Sequence, residues 1–287
     1  MINIESLTMK RSYSTSFQML WLAIVSLLLL GCTNKIPTTE ERKHTIDTLK
    51  SSASVETAYS SSRFELFAIE HIPRSCKDRN LHLYVEGDGL SWVSRSRRSH
   101  DPTPINPLAF KLMLQDPETC KVYLARPCQY IRSKICKKKY WSSHRFSKEV
   151  IESYLEVMEQ IKKKYRIRSF TLIGYSGGGA VAALIAAQRE DVSELITVAG
   201  NLDHHKWTSL HGVSALNESL NPPDFSHRLK NIPQYHLIGT KDAIIPEAIF
   251  QAYKSRFQKR SQIHAGYYPA THHTGWENAF SNFLTSR

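Results

Sequence analysis

The chain has 287 residues, 41% of them apolar and 22% charged, with a formal net charge of +12. That length suits one α/β domain with a buried core, and no internal repeat or long low-complexity tract divides it. The positive charge comes without a helix-turn-helix, RNA-recognition or zinc pattern, which excludes nucleic acid as a partner and leaves a solvated basic surface or contact with anionic lipid headgroups or lipopolysaccharide.

Lys10 and Arg11 precede an apolar run from Met19 to Leu30 that ends in "LLGC". The run is shorter than the about 20 residues a membrane-spanning helix needs, so residues 1–31 read as an export signal, starting at Met1 or at Met9. The "LLGC" ending resembles a bacterial lipobox. That resemblance implies cleavage before Cys32 and attachment of palmitate-type acyl chains there; the alternative is an ordinary signal peptide with an incidental cysteine. Thr33 stands where an aspartate commonly retains a lipoprotein in the inner membrane, so the implied location is the outer membrane, facing the periplasm. Residues 32–62 are rich in Thr, Ser, Glu and Lys and read as a flexible tether. The domain proper is expected over 63–287.

Seven runs rich in β-branched and aromatic residues follow as strands, beginning at Arg63, Leu81, Lys121, Phe170, Glu194, Tyr235 and His264. Several are apolar at consecutive positions, which suits strands covered on both faces of a mostly parallel sheet. Between them, "SKEVIESYLEVMEQIKKKY" places Val150, Ile151, Tyr154, Leu155, Met158 and Ile161 on one helical stripe, with Ser147 as N-cap. "PEAIFQAYKSRF" opens a helix at Pro246, and "GWENAFSNFLTSR" closes the chain as another. Alternation of this kind predicts an α/β fold, a mostly parallel central sheet flanked by helices. The segment 203–233 is too long for a plain connection and reads as a partial cap or lid with a helix or two at the sheet's C-terminal edge. Of the cysteines beyond Cys32, Cys128 and Cys136 are expected to pair across a short basic loop. Cys76 and Cys120 meet if the strands they precede are neighbours, and free thiols are the other reading.

"GYSGG", Gly174 to Gly178, places one serine between a predicted strand and a predicted helix. A strand that turns at once into a helix demands small neighbours, holds the Ser176 hydroxyl clear of the sheet, and aims helix N-terminal N–H groups at whatever reacts there. No lysine stands in a phosphate-loop position. A serine hydroxyl needs a base, and the base needs an orienting carboxylate. Asp242 follows the strand in "YHLIGTKD", with Asp203 in "GNLDHH" as the alternative acid; His272 follows the last strand in "ATHH", with His273 as the alternative base. For the oxyanion, one N–H comes from Gly177 and the second from Gly87 or Asp88 in "YVEGDGLSW".

In this order and placement the chain resembles the α/β-hydrolase superfamily from about Arg63 onward. More narrowly it resembles a group of bacterial α/β hydrolases carrying "YVEGDGLSW", "DPTPINPLA", "LARPCQY", "YWSSHRFS", "GYSGGGAVAALIAA" and "TVAGNLDHHKW". The resemblance implies a serine hydrolase that cleaves a carboxylic ester or thioester through an acyl-enzyme, with amide cleavage and acyl transfer open to the same residues. It implies a small-molecule or lipid ester substrate, no cofactor and no metal. Arg126, Tyr130 and Trp141 read as pocket-lining or packing residues. The rival reading is a noncatalytic envelope lipoprotein that binds anionic lipid or a partner on the same scaffold.

Overall fold

The computed structural model describes residues 35–258 and 261–287. The export signal and Cys32 lie outside the described residues. Eight strands form one sheet in the order β1-β2-β4-β3-β5-β6-β7-β8. They are β1 (Val55–Ser60), β2 (Glu65–His71), β3 (Asn80–Val85), β4 (Lys121–Leu124), β5 (Ser169–Tyr175), β6 (Val192–Val198), β7 (Gln234–Gly239) and β8 (Ile263–Tyr268). β2 pairs antiparallel with β1 and β4, and every other pairing is parallel. Alternate side chains of the central strands feed two cores. Leu83 and Val85 join the core beneath α3 (Lys148–Tyr165), α4 (Gly177–Ala186) and α7 (Glu247–Ser255), while Tyr84 joins the core shared with α2 (Leu108–Gln115) and α8 (Trp276–Thr285). α4 is buried along its whole length, as its unbroken run of Gly, Ala, Val, Leu and Ile requires.

The domain begins earlier than its composition suggests. A compact unit spans Thr38–Arg287, and the segment read as a tether carries α1 (Thr39–Leu49) and β1. Thr38 and Glu41 form a reciprocal capping box. Arg42 is buried and ion-pairs with Asp101 at 2.7 Å, and Ile46 enters the core. In β1 Tyr59 is the one buried residue; it and the half-buried Thr57 both donate their hydroxyls to the buried Glu70. Two buried side chains on a helix and one on an edge strand leave the segment polar overall, which is why composition alone reads it as unstructured.

Two sequence details also shift. Ser147 occupies the N-cap of α3 without its hydroxyl bonding a helix N–H, and Pro246 is the N-cap of α7 rather than its first residue. Both disulfides form, Cys76–Cys120 and Cys128–Cys136, each with Cα atoms 5.6 Å apart. Segment 203–233 carries α5 (His204–His211), a 3₁₀ turn at Pro222–Phe225 and the single-turn α6 (Ser226–Leu229). Because β3 and β5 to β8 run parallel, the loops after their C-terminal ends gather on one edge of the sheet.

Candidate active site

β5 runs straight into α4, so Ser176 makes the turn alone. Its φ of 52° and ψ of −122° lie where L side chains rarely sit, at a cost of roughly 1–3 kcal/mol that dense surroundings must hold. A Cβ on Gly174 would fall 2.3 Å from the Gly178 carbonyl oxygen, and one on Gly178 would fall 2.3 Å from that of Val85. Glycine at both positions therefore lets β5, the end of β3 and the start of α4 close on one another. β6 pins the turn: Ser176 N–H donates to Val198 O at 3.0 Å, and Asn201 N–H donates to Ser176 O at 2.9 Å.

The loops after β7 and β8 reach this serine. His272 Nε2 lies 3.0 Å from Ser176 Oγ, and its Nδ1 lies 2.8 Å from Asp242 Oδ2. Asp242 is buried, and its Oδ1 accepts N–H groups from Ile244 and Ile245, both at 2.8 Å. A carboxylate so held presents its second oxygen to Nδ1–H, which leaves Nε2 free to accept from the serine hydroxyl. The His272 carbonyl is fixed in turn by Tyr175 Oη at 2.9 Å and Trp276 Nε1 at 3.1 Å.

The alternatives stand elsewhere. His273 Nδ1 lies 3.2 Å from the Tyr175 hydroxyl, so its ring is engaged away from Ser176. Asp203 caps α5, accepting from Lys206 N–H at 3.0 Å and from Asn221 Nδ2 at 3.1 Å. Of the two candidates after β3, Gly87 N–H already donates to Glu86 Oε1 at 2.9 Å. Asp88 N–H and Gly177 N–H have no acceptor among the described residues. The two meet closely: a Cβ on Gly177 would lie 2.2 Å from Asp88 Oδ1.

Two acidic groups shape that loop. Asp88 accepts Arg126 Nη1 at 3.0 Å and Arg145 Nη1 at 2.6 Å. Burial raises its pKa, but Arg145 and Arg126 outweigh burial and hold it below the ordinary carboxylate range. Arg145 is fixed by its Nε–H to Ser142 O at 2.8 Å and by the Trp207 ring, 5.6 Å from its guanidinium. Glu86, buried with only neutral donors, is pushed up to about 7 by desolvation, against the hydrogen bonds it accepts from Gly87, Ala109 and Tyr123.

Ser176 and His272 open into a cavity of about 580 Å³. Leu90, Trp92, Ile105 and Ile244 supply apolar walls, while Arg145 and Asn201 supply polar ones. Asn201 is 2% exposed, and its Oδ1 has no hydrogen-bond partner among the described residues. Arg126, Tyr130 and Trp141, read as pocket-lining or packing residues, take the second role and do not line this cavity. Arg126 lies behind Asp88, the Tyr130 ring packs 4.6 Å from Phe67, and Trp141 Nε1 donates to Ser99 O at 3.2 Å. Sequence reasoning gave no role to Arg145, Asn201 or Trp207. One signal pointed to Arg145: an aspartate in a buried glycine turn needs a cation from outside its own segment. Among the described residues, no group of three or more His, Cys, Asp or Glu side chains is placed to hold a metal ion.

A family model described as alpha/beta hydrolase fold matches residues 125–219. No curated protein matches the sequence. Among solved structures, Est1E from Butyrivibrio proteoclasticus is 15% identical with a TM-score of 0.55, covering 80% of this chain and 98% of its own. XC6422 from Xanthomonas campestris, a serine hydrolase without lid, is 13% identical with a TM-score of 0.54, covering 83% and 94%. The Pyrococcus furiosus esterase Pf2001 is 12% identical with a TM-score of 0.54, covering 81% and 90%. With its eight-stranded, mostly parallel sheet flanked by helices, the chain has the α/β-hydrolase fold.

Proposed function

We propose that the chain is a serine hydrolase that cleaves carboxylic esters through an acyl-enzyme, with Ser176 as nucleophile, His272 as base and Asp242 as orienting acid. The observation that carries this reading is the continuous chain of hydrogen bonds from Asp242 through His272 to a serine held at positive φ on a cavity wall. Ser176 Oγ attacks the ester carbonyl carbon as its proton passes to His272 Nε2. Asp242, accepting from Nδ1–H, stabilises the imidazolium. The carbonyl oxygen becomes an oxyanion between the N–H groups of Gly177 and Asp88, where one such donor is worth roughly 2.7–4 kcal/mol. Collapse breaks the ester bond, and Nε2–H protonates the leaving alkoxide. Water then repeats the sequence on the acyl-enzyme and releases the acid.

Thioesters and amides use the same steps, and the similar structures include both an esterase and an acylaminoacyl peptidase. An export signal and a lipid on Cys32 would place this chemistry at the outer membrane, facing the periplasm. The test is a p-nitrophenyl ester series from acetate to palmitate, run with the wild type and Ser176→Ala. Turnover by the wild type that the variant loses, with a maximum at the chain length the cavity accepts, supports the reading. Equal rates for the two proteins contradict it.

A further inference from the structure

The loops around the cavity mouth carry two kinds of outward side chain. Trp92, Ile105 and Ile244 line the mouth yet are 38%, 45% and 40% exposed. Beside them, Arg95, Arg97 and Arg98 are exposed on a short hairpin closed by pairing between Trp92 and Arg98, with the Arg98 guanidinium 5.5 Å from the Trp92 ring. A second basic loop abuts the first. Arg132 Nη1 donates to His100 O and its guanidinium lies 5.5 Å from the Trp141 ring, which is itself bonded to Ser99 O. The Cys128–Cys136 bridge fixes that loop, on which Lys134, Lys137 and Lys138 are exposed.

No carboxylate answers these charges: Arg95, Arg97, Arg98, Arg132, Lys134, Lys137 and Lys138 form no ion pair among the described residues. The nearby acids are spent inward, Asp88 on Arg126 and Arg145, and Asp101 on Arg42. What faces solvent at the mouth is therefore a group of large apolar side chains flanked by uncompensated cations.

From this arrangement we infer that the mouth docks on an anionic phospholipid bilayer. Trp92, Ile105 and Ile244 enter the boundary between headgroups and acyl chains, and the two basic loops meet the phosphates. A polyanion without an apolar layer would satisfy the cations and leave Ile105 and Ile244 in water, so a bilayer fits both features. The catalytic consequence rests on the reading of Ser176 as nucleophile: a docked mouth draws an acyl-ester lipid directly from the membrane into the cavity. Docking itself stands independently of that reading.

The test compares sedimentation of the full chain with phosphatidylglycerol vesicles and with phosphatidylcholine vesicles. The ratio of the two affinities removes any contribution from the N-terminal apolar run, which both surfaces share. A mouth variant carries Arg95→Gln, Arg97→Gln, Lys134→Gln and Lys137→Gln. A matched variant carries Lys77→Gln, Lys163→Gln, Arg168→Gln and Lys230→Gln, four exposed sites at the opposite edge of the sheet. Preference for the anionic vesicles falls by about a hundredfold in the mouth variant, stays within about threefold of wild type in the matched variant, and fades in 0.5 M salt. Turnover of soluble p-nitrophenyl acetate, unchanged in both, shows that the site is intact, whereas an ester embedded in anionic vesicles is cleaved more slowly by the mouth variant. If the mouth variant loses the soluble activity, Arg95→Gln and Lys134→Gln as single changes give the same reading at smaller amplitude. Equal loss of preference in the two quadruple variants, or binding to heparin with no preference between the vesicles, overturns the proposal. A wild type inactive on every ester that still shows the mouth-dependent preference would refute the hydrolase reading and leave docking standing.

Discussion

The loop after β7 and the loop after β3 each bring one aspartate toward Ser176 and hold it in opposite ways. Asp242 is anchored through one oxygen by two backbone N–H groups, and among the described residues its other oxygen meets only the His272 ring. Asp88 has a guanidinium on each oxygen. The first charge stays available to an imidazolium that forms during reaction, and the second is neutralised before any substrate arrives. We read the difference as a division of labour, in which Asp242 acts electrostatically on the base and Asp88 fixes the backbone N–H that follows β3.

The sharpest way to break this comparison is to neutralise each acid in turn. Asp242→Asn lowers kcat by about 10⁴, because Asn donates where the Nδ1–H bond needs an acceptor and so favours the wrong tautomer. Asp88→Asn, measured on the same ester at pH 7, costs far less. A fall of comparable size in both would merge the two roles.

Removing a cation rather than the acid is the next largest effect. Arg145→Met leaves Asp88 with one partner, which costs roughly 2–4 kcal/mol, the buried-pair figure discounted because the Asp88 side chain is 17% exposed. Thermal melts should show this as a drop of about 5–15 °C, with kcat lowered about 10²-fold as the Asp88 N–H moves. Adding Asp88→Asn to Arg145→Met deepens the loss, since the buried Arg126 then has no carboxylate partner among the described residues. A double variant no less stable than Arg145→Met would show that the remaining Asp88–Arg126 pair contributes nothing to stability, and would assign the loss to packing against Trp207.

Two pH profiles resolve the smaller effects. The folded pKa of Asp88 is depressed, so the stability it contributes is fully present above its ordinary value of 3.8 and is lost as pH falls through the lower folded value. Asp88→Asn removes that acid limb from a series of melts. Glu86 behaves oppositely: its folded pKa of about 7 exceeds the ordinary 4.5, so stability declines as pH rises between the two values. Glu86→Gln flattens that decline, while a profile unchanged from wild type would place the titration on another group.

Much of this was legible in the sequence, for physical reasons specific to each element. Buried parallel strands announce themselves by unbroken apolar runs, and all seven expected strands are present. Ser176 was legible because a strand-to-helix turn imposes glycines on both sides. The α1–β1 segment was not, because Ile46 and Tyr59 are lone buried hydrophobic side chains in polar sequence and Arg42 is buried only by virtue of Asp101, 59 residues away. Only the Thr38–Glu41 spacing signalled a helix there. The choice between Gly87 and Asp88 depended on where the Glu86 side chain folds back, and Arg145 on a contact 57 residues from Asp88. Local patterns specify elements; which of the neighbouring acids and histidines face one another depends on loops that the sheet assembles.

Whether Ser176 is an activated nucleophile is decided by fluorophosphonate labelling of the folded protein followed by peptide mass spectrometry. One adduct is expected, on Ser176, formed rapidly by the wild type, much more slowly by Asp242→Asn, and lost on denaturation before labelling. Folded wild-type protein that takes no label, or takes it on a residue other than Ser176, would show that Ser176 is not an activated nucleophile.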